Sequence, residues 1–317
     1  LTPGSFTRRA WLSGTLGVAA LLAGCASQTS ALSRGLAGPG LPRRAELADV
    51  PFFPRSGPDL CGPESLATLL QAQGFAVTPA ELVPQVYLPG RRGSLQIEML
   101  AAARRAGALA VQLPRTLAAL CTEIAGGHAV LVLQNLGLSV APAWHYAVAV
   151  GYDLDLSEVL LRSGDTARQR LSMRTFERTW ARGHHWAIVA LAPGRLPHTA
   201  TEDEVVRALV AFERQAEPAA AVRAYEAARA RWGHNLTITL GHGNSLYRAG
   251  RPAQAADAFE TAARQHGHAA AWINLGMVAL ELGQRDRARA AAQQALALGG
   301  PWAAQARVLA ERVESHP

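Results

Sequence analysis

The sequence predicts an α+β domain followed by an all-α repeat domain. The first observation is texture: before residue 128 the apolar residues recur at helical spacing, and after it they gather into short, partly β-branched runs. The second is a period of 34 and then 33 residues in the C-terminal third, where Ala, Arg, Glu and Leu dominate. The third is size: 317 residues with 49% hydrophobic content exceed one compact core and exclude a disordered chain.

The net charge of +7 comes entirely from arginine, since none of the 31 basic residues is lysine. Residues 25–200 carry 16 Arg against 12 acidic residues and residues 201–317 carry 13 against 12, so neither half presents a basic stripe and no nucleic-acid partner is expected. Three Cys without a Cys-x-x-Cys pair argue against a disulfide framework and a structural zinc site.

Residues 1–24 hold Arg8 and Arg9, no acidic side chain, and an apolar stretch from Trp11 to Ala23 that is too short to span a bilayer. They read as a signal peptide. Its end, Leu22-Ala23-Gly24-Cys25, resembles a bacterial lipoprotein box, which implies lipidation of Cys25 and a membrane-anchored protein of the cell envelope, facing the periplasm from the outer membrane. Thr7-Arg8-Arg9 also resembles a twin-Arg export signal. Residues 25–47, rich in Ser, Gly, Ala and Pro up to Pro42, read as a flexible tether.

The folded part is expected over residues 48–197. Asp49-Val50-Pro51-Phe52-Phe53-Pro54 is extended, because each Pro restricts its predecessor. Cys61-Gly62-Pro63-Glu64-Ser65-Leu66 then opens a helix. That places Cys61 at a helix N-terminus, where the macrodipole favours a thiolate and free N–H groups can hold an oxyanion. Thr78-Pro79-Ala80-Glu81 is a capping box, and a further helix is expected from Ser94 to Gly107 after a basic turn containing Arg91 and Arg92, read as solvated. Leu109 to Leu113 reads as a strand and Leu117 to Ile124 as a helix with Cys121 in its core. Strands follow at 128–133, 146–150 and 159–161. His145 opens the second of them, so its imidazole is fixed where it can exchange a proton with a thiol. His128, after Gly126-Gly127, is the rival histidine and is expected to cap or pack. His184-His185 reads as a sheet edge with no spacing for a metal, and neither a metal nor a cofactor is expected.

Cys-Gly-Pro at a helix start, Gly-His-Ala-Val-Leu-Val at 127–132 and Trp-His-Tyr-Ala-Val-Ala-Val-Gly-Tyr at 144–152 together resemble the papain-like cysteine peptidases that process double-glycine leader peptides of bacteriocins. The resemblance spans roughly residues 48–195. It implies a papain-like fold, Cys61 as nucleophile, His145 as general base and a peptide or protein as substrate. The family's oxyanion Gln, five or six residues before the Cys, is replaced by Arg55 and Ser56. For the third member, Asp165 has the chemistry and Ser163 fits the position better. Leader peptidases of this family are mostly fused to export ATPases, and these 317 residues hold no phosphate-binding Gly-x-x-x-x-Gly-Lys loop, so another substrate is expected.

Residues 201–317 align as helical repeats through Ala221, Ala255 and Ala288, with Gly250 and Gly283 at equivalent turns. Trp272-Ile273-Asn274-Leu275-Gly276 resembles the start of a tetratricopeptide repeat, the first copy is degenerate, and the helix from Trp302 to Val313 caps the stack. Such arrays resemble docking modules for a protein partner. The leading expectation is a membrane-anchored thiol peptidase with a recruiting repeat domain. One alternative is an inactive pseudopeptidase that binds peptides as a scaffold, suggested by Arg55 and Arg162. The other is an acyl transferase, because Cys-Gly-Pro-Glu-Ser-Leu is also similar to the nucleophile helix of phytochelatin synthase.

Overall fold

The computed structural model describes residues 28–33 and 40–315; the expected signal peptide (1–24) and the expected lipidation site Cys25 lie outside the described residues. Helix α1 (Gln28–Ser33) and strand β1 (Arg44–Glu46) lead into α2 (Cys61–Gln71), α3 (Pro79–Val86), the short pair β2 (Tyr87–Leu88) and β3 (Gly93–Ser94), and α4 (Gln96–Arg105). Then come β4 (Leu109–Gln112), α5 (Leu117–Ala125), β5 (Val130–Asn135), β6 (Trp144–Asp153), β7 (Glu158–Ser163), β8 (Thr166–Ser172), α6 (Met173–Arg182) and β9 (Ala187–Leu191). The main sheet runs β4-β9-β5-β6-β7-β8 with every pair antiparallel, and β1 pairs with the far half of β6.

Both faces of this sheet are covered at its centre, which is why β5, β6 and β9 read as apolar runs and not as an alternation, whereas the edge strand β8 is largely exposed. Leu131, Tyr146, Val148 and Ile188 pack under Leu66, Leu70, Leu82 and Met99 of α2–α4. Their neighbours Val130, Val132, Ala147 and Val189 pack on the opposite side under Leu120 of α5 and Phe176 and Trp180 of α6. The capping box at Thr78 forms as expected, with Thr78 Oγ1 accepting from the Glu81 amide and Glu81 Oε2 accepting from the Thr78 amide. The helix expected from Ser94 begins at Gln96, because Ser94 is held in strand pairing with Tyr87. His184 and His185 both adopt left-handed φ in the turn before β9, a strand flanked by β4 and β5, so the expected sheet edge is a turn feeding a central strand.

The expected tether at 25–47 is docked in its described parts. Gln28 and Thr29 donate their amides to Glu177 of α6 at 2.6 and 3.0 Å, and the Gln28 side-chain oxygen accepts from the Leu117 amide at 2.6 Å. Strand β1 pairs Ala45 with Tyr152, and Tyr152 Oη donates to the Pro42 carbonyl at 2.9 Å. Long-range partners therefore order a segment whose composition favours coil.

The C-terminal region comprises α7 (Glu202–Glu213), α8 (Pro218–Trp232), α9 (Leu236–Arg248), α10 (Pro252–His266), α11 (Ala269–Glu281), α12 (Arg285–Leu298) and α13 (Ala303–Ser315). Gly250 and Gly283 take φ of 70° and 72° in the turns between paired helices. Helices approach so closely that a Cβ on Gly241 would lie 2.3 Å from the Tyr225 ring, and one on Gly276 would lie 2.4 Å from Leu309. The expected boundary near residue 197 does not divide the core: Val205, Leu209 and Phe212 of α7, with Tyr225 and Ile238, are continuous with Leu109, Val111 and Leu113 of the sheet domain. Among the described residues no helix is long and apolar enough to cross a membrane.

Candidate active site

The site forms where β6 outruns β7. Their pairing ends at Val148 and Arg162, so the first residues of β6 keep an unpaired edge on that side, and the start of α2 fills it. Ser65 Oγ donates to the Tyr146 carbonyl at 3.1 Å, and the Tyr146 amide is near enough to the Cys61 sulfur to favour its thiolate. Cys61 is half-buried and thereby fixed beside the strand that begins Trp144-His145-Tyr146. Gly62 is required next to it, because a Cβ there would sit 2.3 Å from Ser94 Oγ. Sequence reasoning did not single out Tyr146, Ser65 or Ser94, whose roles rest on backbone contacts or on packing against Gly62.

His145 Nε2 lies 2.8 Å from Ser163 Oγ, the last residue of β7. A small cavity is lined by Cys61, Tyr146, Ser163 and Phe53, which brings the thiol and the imidazole's partner to one place. Asp165 does not contact the imidazole. The β7–β8 turn, with Gly164 at φ 56°, carries it to the Arg55 guanidinium, with which it forms an ion pair. The Arg55 amide also donates to the Gly164 carbonyl at 3.1 Å.

The two residues standing where the oxyanion Gln was expected are both engaged. Ser56 donates its amide and its hydroxyl to Glu64 Oε1 at 2.6 and 2.8 Å, and Arg55 pairs with Asp165. The oxyanion donors at hand are backbone groups, because the amides of Cys61 and Gly62 lie against the same sulfur. Arg162 is buried and donates to the carbonyls of Val50, Ala48 and Ala167, so it straps residues 48–50 to the sheet.

Electrostatics at the site differ from the thiolate expected at a helix start. Burial pushes the Cys61 thiol up from its ordinary value; the Tyr146 amide opposes this, and the Glu64 carboxylate adds to it. Burial, and then the Arg55 guanidinium, push His145 down. Both shifts favour the uncharged forms, a thiol at Cys61 and a neutral imidazole at His145, with desolvation the largest cause of each.

His128 lies at the other end of the β5–β6 ladder, beyond the Val130–Ala149 pair, whereas His145 pairs with Gln134. Its Nδ1 is 2.8 Å from Glu123 Oε2 and its Nε2 is 3.2 Å from the Arg195 guanidinium, so Nε2 accepts and Nδ1–H donates. Glu123 Oε1 accepts from the amide and hydroxyl of Thr199, and His198 stacks on His128 at 4.7 Å. Glu123, His128 and His198 bring possible ligand atoms within 4.8 Å of one another, and both ring nitrogens of His128 are hydrogen-bonded, Nδ1 to Glu123 and Nε2 to Arg195. This is a packed junction. Cys121 is buried, and its thiol is pushed up to about 12 by desolvation, as suits a core residue.

Residues 47–188 match the model of the Peptidase_C39 like family, and residues 240–303 match that of the tetratricopeptide repeat. The first span coincides with the sheet domain and the second with the α9–α12 helices. Among solved structures, a C39-like peptidase from Bacillus anthracis is similar at 18% identity and a TM-score of 0.40, covering 47% of this chain and 98% of that one. A double glycine motif protease from an AMS/PCAT transporter, in complex with the leader peptide, is similar at 18% identity and a TM-score of 0.35, covering 46% of this chain and 96% of that one. No curated protein matches. The chain thus combines an N-terminal α+β domain of C39-peptidase-like type with a C-terminal helical region that matches tetratricopeptide repeats.

Proposed function

We propose that the protein is a thiol peptidase in which Cys61 is the nucleophile, His145 the general base and Ser163 the residue that orients the imidazole. The observation that carries this reading is the meeting of the α2 start with the β6 edge: Cys61 and Ser163 line one small cavity with Tyr146, and the imidazole's Nε2 lies 2.8 Å from Ser163 Oγ. With Nε2–H donated to Ser163 Oγ, Nδ1 remains as the basic nitrogen. It takes the thiol proton as sulfur attacks the substrate carbonyl carbon, and the amides of Cys61 and Gly62 receive the oxyanion. The imidazolium returns the proton to the leaving amine, and water, deprotonated by the same nitrogen, releases the acid and restores the thiol. An apolar cleft of about 420 Å³ lined by Phe53, Leu60, Pro63, Pro79 and Val83 adjoins the helix start and suits an apolar substrate side chain.

The repeats supply a docking surface for a protein partner, and lipidation at Cys25 holds the enzyme at the periplasmic face of the envelope. Turnover of a peptide pool by the wild type and its loss in Cys61→Ala tests the chemistry. Wild type without turnover, but with peptide binding that survives Cys61→Ala, overturns the enzyme in favour of the scaffold. Transfer of the acyl group to an added amine in preference to water marks the acyl transferase. Cys25→Ser tests the anchor by membrane partition, and a correctly cleaved variant that stays on membranes refutes it.

A further inference from the structure

A second site, independent of the peptidase reading, lies where the two halves of the molecule join. A cleft of about 590 Å³ opens between α4, the β4–α5 connection and α7, and three guanidinium groups line it: Arg104, Arg115 and Arg207. Arg104 is half-buried, and its Nε is wholly buried with no hydrogen-bond partner among the described residues. Burial alone pulls its pKa down, with no carboxylate acting against it. A partly desolvated cation with no counter-charge is costly, and an anion in the cleft offsets that cost.

The fold does not supply the missing charge. Glu204 is the one acidic residue on the cleft wall, and its Oε2 already accepts the amide and hydroxyl of Thr201 at 2.8 and 2.9 Å in a capping box. Neither Arg115 nor Arg207 has an ion-pair partner among the described residues. Residues 1–27, 34–39 and 316–317 contain no Asp or Glu, so no acidic side chain of theirs neutralises the cleft. Three cations against one carboxylate leave the cleft two positive charges in excess.

We infer that this cleft binds a phosphomonoester. Such a group carries a charge of about −1.5 to −2 near neutral pH, which matches the excess, whereas a single carboxylate leaves one cation uncompensated. Planar guanidinium groups pair with its oxygens in bidentate fashion. The volume exceeds that of a bare phosphate and suits a small organophosphate, with Gln112 offering an amide to the rest of the ligand. Arg104 belongs to the sheet domain and Arg207 to the first repeat helix, so a bound phosphate clamps the two together.

The same chemistry is found on a soluble organophosphate and on an anionic phospholipid headgroup, and the test separates them. The full chain is titrated calorimetrically with glycerol 3-phosphate at constant ionic strength, and floated with phosphatidylcholine vesicles with and without phosphatidate. Saturable binding in either arm is expected, weakened about tenfold or more by Arg207→Gln and by Arg104→Gln and strengthened by Glu204→Gln. Arg207 is exposed, so its variant keeps the fold even where Arg104→Gln disturbs it. Arg289→Gln, on α12 and outside the cleft, serves as the charge control and leaves binding unchanged. Absence of binding in both arms, or equal weakening by Arg289→Gln, overturns the assignment.

Discussion

Replacing Ser163 with Asp tests the resting state of the Cys61–His145 pair directly. Ser163 Oγ stands 2.8 Å from Nε2, so an Asp at this position brings a carboxylate oxygen to hydrogen-bond range of the imidazole. At about 4 Å between charge centres and an effective dielectric near 20, the attraction to an imidazolium is roughly 4 kcal/mol. Burial of the new carboxylate takes back part of this, and one to three pK units is the usual net shift for an opposite charge at such a distance, or ~1.4–4 kcal/mol. His145 is held down by burial and Arg55 in the wild type, so the substitution raises it, and the imidazolium then lowers Cys61. The assay is the rate of Cys61 alkylation by iodoacetamide against pH. The wild type follows ionisation of a thiol that burial has raised, so its rate is low at neutral pH and climbs on the alkaline side. Ser163→Asp shows an added plateau near neutral pH, with a rate about ten- to a thousandfold above wild type, one factor of ten for each pK unit gained. Identical pH profiles in two proteins of equal melting temperature would refute the neutral-pair argument and the role given to Ser163.

Gly62→Ala drives a Cβ to 2.3 Å from Ser94 Oγ and is expected to lose about 1–3 kcal/mol in urea unfolding, with partial recovery in the double variant with Ser94→Gly. Arg162→Leu removes the donor for three backbone carbonyls, and at ~1–3 kcal/mol for each group left unsatisfied it should lower the urea midpoint more than Gly62→Ala does. Glu123→Ala leaves the His128 ring and the amide and hydroxyl of Thr199 without their shared acceptor and is expected to destabilise by ~1–3 kcal/mol for each buried donor left unsatisfied. The Glu123 carboxyl is held below its ordinary value, with the His128 and Thr199 hydrogen bonds outweighing burial, so its contribution is present above about pH 4.5 and fades as pH falls through the lowered value. A wild-type protein whose stability loss on acidification is matched by Glu123→Gln contradicts that assignment.

The repeat period was legible because it is one-dimensional. Helix pairs contact their neighbours in sequence, so the close approaches at Gly243 and Gly276 and the positive φ at Gly250 and Gly283 leave their mark at fixed spacing. Cys61 at a helix start and His145 at a strand start were legible for a similar reason, since Pro63 and the apolar run after Tyr146 are local signals. What the chain does with these elements was decided at longer range. Ser163 and Asp165 are two residues apart, and only the turn at Gly164 and the ion pair with Arg55 determine which of them faces the imidazole. Ser56 gained Glu64 as a partner in the same way. The segment at 44–46 became a strand because the far half of β6 lacked a neighbour on one side, and α7 joined the sheet's core because β4 left an apolar face for it to cover. Propensity and period are properties of a single segment. Hydrogen-bond partners, burial and the pKa shifts that follow from it are properties of pairs of segments, and those exist only once the chain has closed on itself.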